Sequence, residues 1–188
     1  MLDETIESIT TQMLEYHFPR YDELSAIPLY RDQVLDSLNT YLLPLCTDQS
    51  QPPVTAAMIN NYVKLKLLPP PVKKKYDRDQ QAQLLCILLL KQVFSISEIS
   101  RLLELQTHTY PFPQAYDYFC VEFETALRDT FSTRSFSGIG QQTRHPTPLS
   151  DLVCSAALCV AQKIFTQKFL HLDSAYSIQL EMDACVNE

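Results

Sequence analysis

A cluster of lysine and arginine residues interrupts an otherwise acidic chain. The segment from Lys64 to Arg78 holds six basic residues against one acid, Asp77, and so carries a net charge of +5. Because the whole chain of 188 residues carries −7, everything outside the segment carries −12. A local basic patch on an acidic body can attach one face of a protein to DNA while the remainder repels it. A solvated lysine-rich loop is the simpler alternative, and charge alone leaves both interpretations open.

Residues that could carry catalysis or hold a metal ion are scattered. The chain has no glycine-rich phosphate loop, no Gly-x-Ser-x-Gly turn and no His-Glu-x-x-His pair, and its four histidines lie far apart in sequence. Among the six cysteines the nearest two, Cys154 and Cys159, would point about 140° apart around a helix, which is poor geometry for ligating one metal. Core packing is the better explanation of these thiols. We therefore expect no enzymatic activity, no metal and no cofactor.

Helical patterns account for most of the chain. Apolar residues recur at helical spacing over 29–45 and 116–131, and the all-round apolar run from Gln83 to Leu90 predicts a buried central helix. Capping signals for helix starts stand at Thr55, at Asp77 with Gln80, at Ser95 with Glu98, and at Thr147 with Pro148. Strand alternation is absent except for a short stretch over 72–76. The predicted fold class is all-α.

The order of these elements over residues 55–104 resembles the MerR family of bacterial regulators. The shared features are Met58-Ile59-Asn60-Asn61-Tyr62 on a Thr-initiated helix, the corner Leu67-Leu68-Pro69-Pro70-Pro71, the basic stretch Lys73-Lys74-Lys75-Tyr76, and Phe94-Ser95-Ile96-Ser97-Glu98-Ile99. The chain also resembles a smaller bacterial family of unknown function, the YkrK-like proteins, in its Met-Ile-Asn-Asn-Tyr and Pro-Pro-x-x-Lys-Lys-Tyr signatures. That second resemblance covers most of the chain and implies a fold without an activity.

The MerR resemblance implies a winged helix-turn-helix with a minimal wing, followed by a small C-terminal helical region. In such a domain the helix that starts at Thr55 enters the major groove of DNA, where asparagine can bond adenine bidentately. Helical spacing turns Ile59 and Tyr62 of this helix inward and leaves Asn60 and Asn61 outward. Asn60 and Asn61 are therefore the candidates for reading bases, and the lysines of the wing would contact phosphates. The predicted DNA-binding residues are Thr55, Asn60, Asn61, Lys64, Lys73, Lys74, Lys75 and Arg78.

Two features of this sequence differ from the MerR pattern. Asn60 and Asn61 stand where that family usually has an arginine and a tyrosine. The wing is also shorter and lacks the glycine that normally turns it, which favours a tight basic loop over Lys73–Lys75 in place of a full hairpin.

The predicted organisation has three parts. Residues 1–28 form an N-terminal helical segment whose helix ends near Pro19, 29–106 the winged helix-turn-helix domain, and 107–188 a C-terminal helical domain for dimerisation or sensing. Within the last part, the polar stretch 132–145 holds both glycines of the chain and is expected to be mobile, and a short acidic tail begins at Asp173. Two-fold DNA readers engage paired half-sites, so we expect a homodimer, with a small-molecule effector of unknown identity. No secretory signal is present, and the longest apolar runs, 84–90 and 156–161, are shorter than the roughly 18 residues of a membrane span. These features predict a cytoplasmic protein without membrane contact.

Two functions from different classes fit the sequence. The first is a bacterial transcription regulator that binds double-stranded DNA through a MerR-like winged helix. The second is a protein-interaction module that uses the basic loop 64–78 to hold an acidic protein partner.

Overall fold

The computed structural model describes residues 2–107, 110–133 and 147–173. Within these ranges the helices are α1 (Leu2–Leu14), α2 (Arg31–Leu42), α3 (Ala56–Lys64), α4 (Arg78–Leu90), α5 (Ile96–Thr107), α6 (Phe112–Thr133) and α7 (Pro148–Asp173). Two short strands, β1 (Leu29–Tyr30) and β2 (Lys75–Tyr76), pair in antiparallel fashion, and 3₁₀ turns span Tyr21–Glu23 and Leu43–Leu45. The predicted all-α class is confirmed.

Helix α4 is the buried centre of the fold, as its sequence predicted. Its residues from Leu84 to Leu90 are all buried, because apolar side chains occur on every face of the helix. Its N-terminus is closed by a reciprocal capping box. The backbone N–H of Gln80 donates to the Asp77 carboxylate at 2.9 Å, and the backbone N–H of Asp77 donates to the side-chain oxygen of Gln80 at 3.0 Å. This cap holds the helix directly after β2.

Helices α6 and α7 pack along each other and extend the core. The Phe131 ring meets Phe165 edge-on with centroids 5.0 Å apart, and Phe165 stacks on Phe169 at 4.2 Å. Lys168 of α7 is buried, and its ammonium donates to the carbonyls of Pro44 at 2.9 Å and Cys46 at 3.2 Å. Burial lowers the pKa of this lysine. The contact attaches α7 to the connection between α2 and α3.

The chain between α1 and β1 is anchored to α6 by a buried carboxylate. Glu124 accepts hydrogen bonds from the Phe18 N–H at 2.8 Å and from two nitrogens of Arg20 at 2.9 and 2.6 Å. The Phe18 ring is fully buried against Phe123, and the Tyr116 hydroxyl donates to the Pro19 carbonyl at 2.8 Å. Burial on its own would raise the pKa of Glu124, but the bonds from Arg20 and Phe18 outweigh it and lower that pKa.

The buried side chains of all these elements form one continuous cluster. It runs from Met13 and Phe18 through α4 to Ile164 of α7. The division into parts at residues 28 and 106 stays a prediction, and the cluster is continuous across both positions.

Several sequence-based boundaries need correction. The helix predicted over 29–45 is shorter, because Leu29 and Tyr30 form β1 and 43–45 form a 3₁₀ turn. A strand of two residues is too short to show alternation, so β1 was missed. The N-terminal helix ends at Leu14 instead of near Pro19. The prediction of a mobile segment over 132–145 and of an acidic tail after Asp173 falls almost wholly outside the described residues.

Helix α7 is more apolar as a whole than its short apolar runs indicated. Pro148–Leu170 is long and apolar enough to cross a membrane by length and composition. The same properties are typical of the core helix of a soluble protein, and seven residues of α7, among them Val153, Val160 and Ile164, are buried. The cytoplasmic location therefore stays a prediction.

The cysteines are free thiols within the described residues, and no group of ligating side chains there could hold a metal ion. Cys86 and Cys120 are buried in the core. Cys154 and Cys159 are half-buried, so the expected packing is only partial, and the Cys154 thiol donates to Glu122 at 3.2 Å.

Candidate nucleic-acid interface

Helix α3 presents one buried and one exposed face. Ile59 and Tyr62 are buried against the core, as predicted, whereas Ala57, Asn60, Asn61 and Lys64 are exposed. These four follow the i, i+3, i+4, i+7 spacing that places residues on one helix face. The exposed face of α3 therefore carries two amides and one ammonium.

The two asparagines are available to a ligand. Within the described part of the chain, neither Asn60 nor Asn61 uses its side chain in a hydrogen bond, and both side chains are exposed. A free amide offers a donor and an acceptor at once, which matches the edge of adenine in the major groove. Thr55, by contrast, is the N-cap of α3, and its hydroxyl accepts from the Met58 N–H at 3.4 Å.

Both ends of α3 are held in place by amide side chains elsewhere in the chain. Asn39 of α2 accepts from the Val54 N–H at 2.8 Å and donates to the Val54 carbonyl at 3.2 Å, one residue before the N-cap. Beyond the other end, Gln83 donates to the Leu67 carbonyl at 2.8 Å. Gln80 donates to the carbonyls of Pro69 and Pro70, at 2.9 and 3.2 Å. Sequence patterns did not reveal these contacts.

The C-terminal end of α3 is closed by a lysine in a left-handed conformation. Lys66 has φ of 59°, and the following Leu67 N–H donates to the Tyr62 carbonyl at 3.0 Å. This is the hydrogen bond of a Schellman cap, whose left-handed position is usually glycine. A side chain with a Cβ costs about 1 kcal/mol or more in that conformation.

A second left-handed site lies at the tip of the basic segment. The N–H groups of Val72 and Lys75 each donate to the other's carbonyl, at 3.0 and 2.9 Å, which closes a two-residue turn. Its central residues, Lys73 and Lys74, have φ of 50° and 65°, the pattern of a type I′ turn. Asparagine and glycine favour such positions, so two lysines are unusual occupants. The expected loop over Lys73–Lys75 is thus corrected to a minimal hairpin, in which the turn is Lys73 and Lys74 and Lys75 already belongs to β2.

Lys75 and Arg78 lie in less open surroundings than the turn. The Lys75 ammonium lies 4.7 Å from the centroid of the Tyr30 ring, a cation–π contact, and its side chain is only partly exposed. Arg78 bonds Asp22 at 3.0 Å and covers the Tyr21 ring at 5.3 Å. Arg78 therefore fastens α4 to the 3₁₀ turn at 21–23, and we expect it to contribute less to any ligand than Lys73 or Lys74.

Tyr30 was not among the residues singled out from sequence. It pairs with Lys75 in the β1–β2 register, and more than half of its surface is exposed. The sequence pattern did not reveal this position in the sheet, because Tyr30 falls at an apolar helical spacing and was therefore assigned to the helix predicted over 29–45.

A small apolar cavity lies between α4, α5, α6 and α7. Its lining includes Cys86, Leu103, Phe119, Leu152 and Ala156, and its volume is about 20 Å³. That is room for roughly one water molecule, so an effector could bind here only if the helices separated. Burial raises the pKa of the Cys86 thiol well above its ordinary value, which keeps this thiol neutral.

A family described as a domain of unknown function, DUF1836, matches residues 19–119. The matched region includes β1 to α5 and the first two turns of α6, and so the whole candidate interface. Neither a curated protein nor a solved structure is significantly similar to the chain.

Proposed function

We propose that this chain, which belongs to the DUF1836 family of unknown function, is a bacterial transcription regulator that binds double-stranded DNA in a sequence-specific manner. Its contact surface is the exposed face of α3 together with the turn at Lys73 and Lys74. Asn60 and Asn61 read base edges in the major groove, and the lysines hold phosphates.

One observation supports this proposal above the others. Among the described residues, the non-glycine positions with positive φ are Lys66, Lys73 and Lys74. The left-handed conformation costs each of these residues about 1 kcal/mol, a cost that glycine avoids and asparagine reduces. Strained backbone residues of this kind concentrate at binding sites. Three ammonium groups held at such a cost, within ten residues of the exposed face of α3, fit a polyanionic ligand.

The arrangement of the elements also supports a MerR-like winged helix. In chain order, β1 leads into α2, α3 follows after a loop, and the wing strand β2 returns to pair with β1 before α4 and α5. Along the chain, that order puts one exposed helix directly before a basic turn. In such domains one helix usually enters the major groove while a flanking element contacts the sugar–phosphate backbone of the DNA.

The remaining parts of the proposal concern assembly and control. A homodimer would let two copies of α3 engage paired half-sites. The α6–α7 pair, which lies outside most of the family match, is the natural region for dimerisation or for sensing an effector. A cytoplasmic location follows from this role.

The proposal is tested by fluorescence anisotropy against duplexes that tile the region upstream of the protein's own gene, at two salt concentrations. The wild type should bind one duplex tightly, and binding should weaken with salt. Replacing Lys73, Lys74 and Lys75 with alanine should weaken binding to all duplexes alike. Replacing Asn60 and Asn61 with alanine should instead reduce the preference for that one duplex.

A matched control is Lys91→Gln, which removes one exposed ammonium at the C-terminal end of α4 and should leave the curves unchanged. Flat curves for the wild type on every duplex would overturn the proposal. They would favour the alternative, in which the basic loop 64–78 holds an acidic protein partner.

A further inference from the structure

The outward face of the two-stranded sheet carries a row of three side chains. Tyr30 pairs with Lys75 in the β1–β2 register, and Lys75 also pairs with Val72 across the turn. Directly paired residues of antiparallel strands project from the same face. Tyr30, Lys75 and Val72 therefore form one row, while the neighbouring pair of Leu29 and Tyr76 faces the core, where Tyr76 is buried.

This row is apolar at both ends and open to solvent. Tyr30 is 54% exposed and Val72 is 70% exposed, and the two flank Lys75 in the strand pairing. The cation–π contact of Lys75 fixes the position of the Tyr30 ring. A sheet face built only to hold phosphates would need no exposed aromatic or aliphatic side chains, so the row indicates a ligand with apolar surface of its own.

The charges around the row restrict the chemistry of that ligand. Lys73 and Lys74 project from the adjoining turn, and Arg31 follows Tyr30. Two nearby acids offset part of this charge, since Asp32 bonds Arg31 at 3.4 Å and Asp77 caps α4, but the basic side chains outnumber them. The complementary surface is therefore anionic with apolar patches between the charges. The sugar–phosphate edge of a DNA groove has this alternation, with deoxyribose carbons between successive phosphates.

We propose that Tyr30 and Val72 pack against deoxyribose rings of a duplex whose adjacent phosphates are held by Lys73 and Lys74. Lys75 acts chiefly as a positioning residue, which holds the Tyr30 ring in place. This inference rests on the proposed DNA binding and adds to it a non-ionic contact surface on the sheet, separate from the helix that reads bases.

Salt dependence separates an ionic from a non-ionic contact. Each phosphate contact contributes about 0.9 to the slope of log affinity against log salt, whereas an apolar contact contributes nothing to that slope. Tyr30→Ser and Val72→Thr are suitable variants. Serine is a favourable N-cap at the position that Tyr30 occupies before α2, and threonine keeps the β-branched shape of valine.

The expected result is an affinity lower by about tenfold for Tyr30→Ser and by a few fold for Val72→Thr at every salt concentration, with the slope unchanged. Matched controls are Tyr110→Ser and Val93→Thr, which alter a tyrosine 50% exposed and a valine 42% exposed elsewhere on the surface. Their curves should overlay the wild type. Thermal unfolding of each variant verifies that it is folded.

Three outcomes would contradict the inference, and they differ in whether the proposed DNA binding is also contradicted. If both variants bind like the wild type while the triple lysine variant binds weakly, the sugar contact is wrong and the proposed DNA binding stands. If the variants flatten the salt slope, their effect is ionic and the inference also fails. If the wild type binds no duplex, both proposals fail, and the row with its lysines becomes a surface for an acidic protein.

Discussion

Replacing Lys73 and Lys74 by asparagine and glycine should make the protein more stable and a weaker DNA binder. Both residues have left-handed backbones, at φ of 50° and 65°, and Asn-Gly is the preferred pair in a type I′ turn. Relief of strain is worth about 1.5 kcal/mol for the pair, and the extra freedom of glycine in the unfolded chain removes about 0.5 kcal/mol of it. We therefore expect a net gain of about 1 kcal/mol.

That gain should appear as a rise in Tm of about 2 to 4 °C, given the size of the chain. Losing two phosphate contacts should reduce the slope of log affinity against log salt by about 1.8. If the binding curves of variant and wild type converge near 1 M salt, the affinity at 0.1 M should fall about 60-fold. Urea unfolding and fluorescence anisotropy measure the two effects on one preparation.

The double variant Lys73→Arg, Lys74→Arg is the matched control, because it keeps both charges and both Cβ atoms. Its stability and its salt slope should stay close to the wild type. If the Asn-Gly variant is no more stable than the wild type, the argument from backbone strain is wrong. If it is more stable but binds DNA as well as before, the strain is unrelated to the ligand.

Two further predictions concern the contacts that position the interface. Glu124→Gln should destabilise the fold by about 2 to 3 kcal/mol at pH 7, because Arg20 loses its charged partner. Since the folded pKa of Glu124 is lowered, this contribution is present above its ordinary pKa of 4.5 and is lost as pH falls through the folded value. Urea unfolding of both proteins at pH 7 and pH 3 should thus give a difference that shrinks in acid, and an equal difference at both pH values would contradict the argument. Asn39→Ala should lower the free energy of unfolding by about 1 to 2 kcal/mol, because it leaves the backbone N–H and C=O of Val54 unpaired. Amide hydrogen exchange should then be faster at Val54 and in the first turn of α3. Unchanged protection there would show that Asn39 does not hold the helix.

The features of this fold that could be predicted from sequence are those set by neighbouring residues. The capping signals at Thr55, Asp77, Ser95 and Thr147 all mark helix starts in the structure, because a cap depends only on the next three residues. The buried character of α4 followed from its unbroken apolar run.

Contacts between distant residues could not be predicted in this way. No local pattern links Arg20 to Glu124 or Asn39 to Val54, since only the folded backbone brings them together. The same holds for Tyr30, whose pairing with Lys75 depends on a strand of two residues. The exposure of Asn60 and Asn61 was predicted from helical spacing, but the left-handed backbone of the lysines was not, because lysine has no preference for it.

Helix α6 continues unbroken past the end of the family match, which has a practical consequence for truncated forms of the protein. The match ends at residue 119, whereas α6 continues to Thr133. A protein truncated at the family boundary would lose the Phe123 ring that packs on Phe18 and the Glu124 carboxylate that holds Arg20. We expect such a fragment to expose apolar surface and aggregate, so the limits of sequence similarity in this chain are not the limits of an independently folding unit.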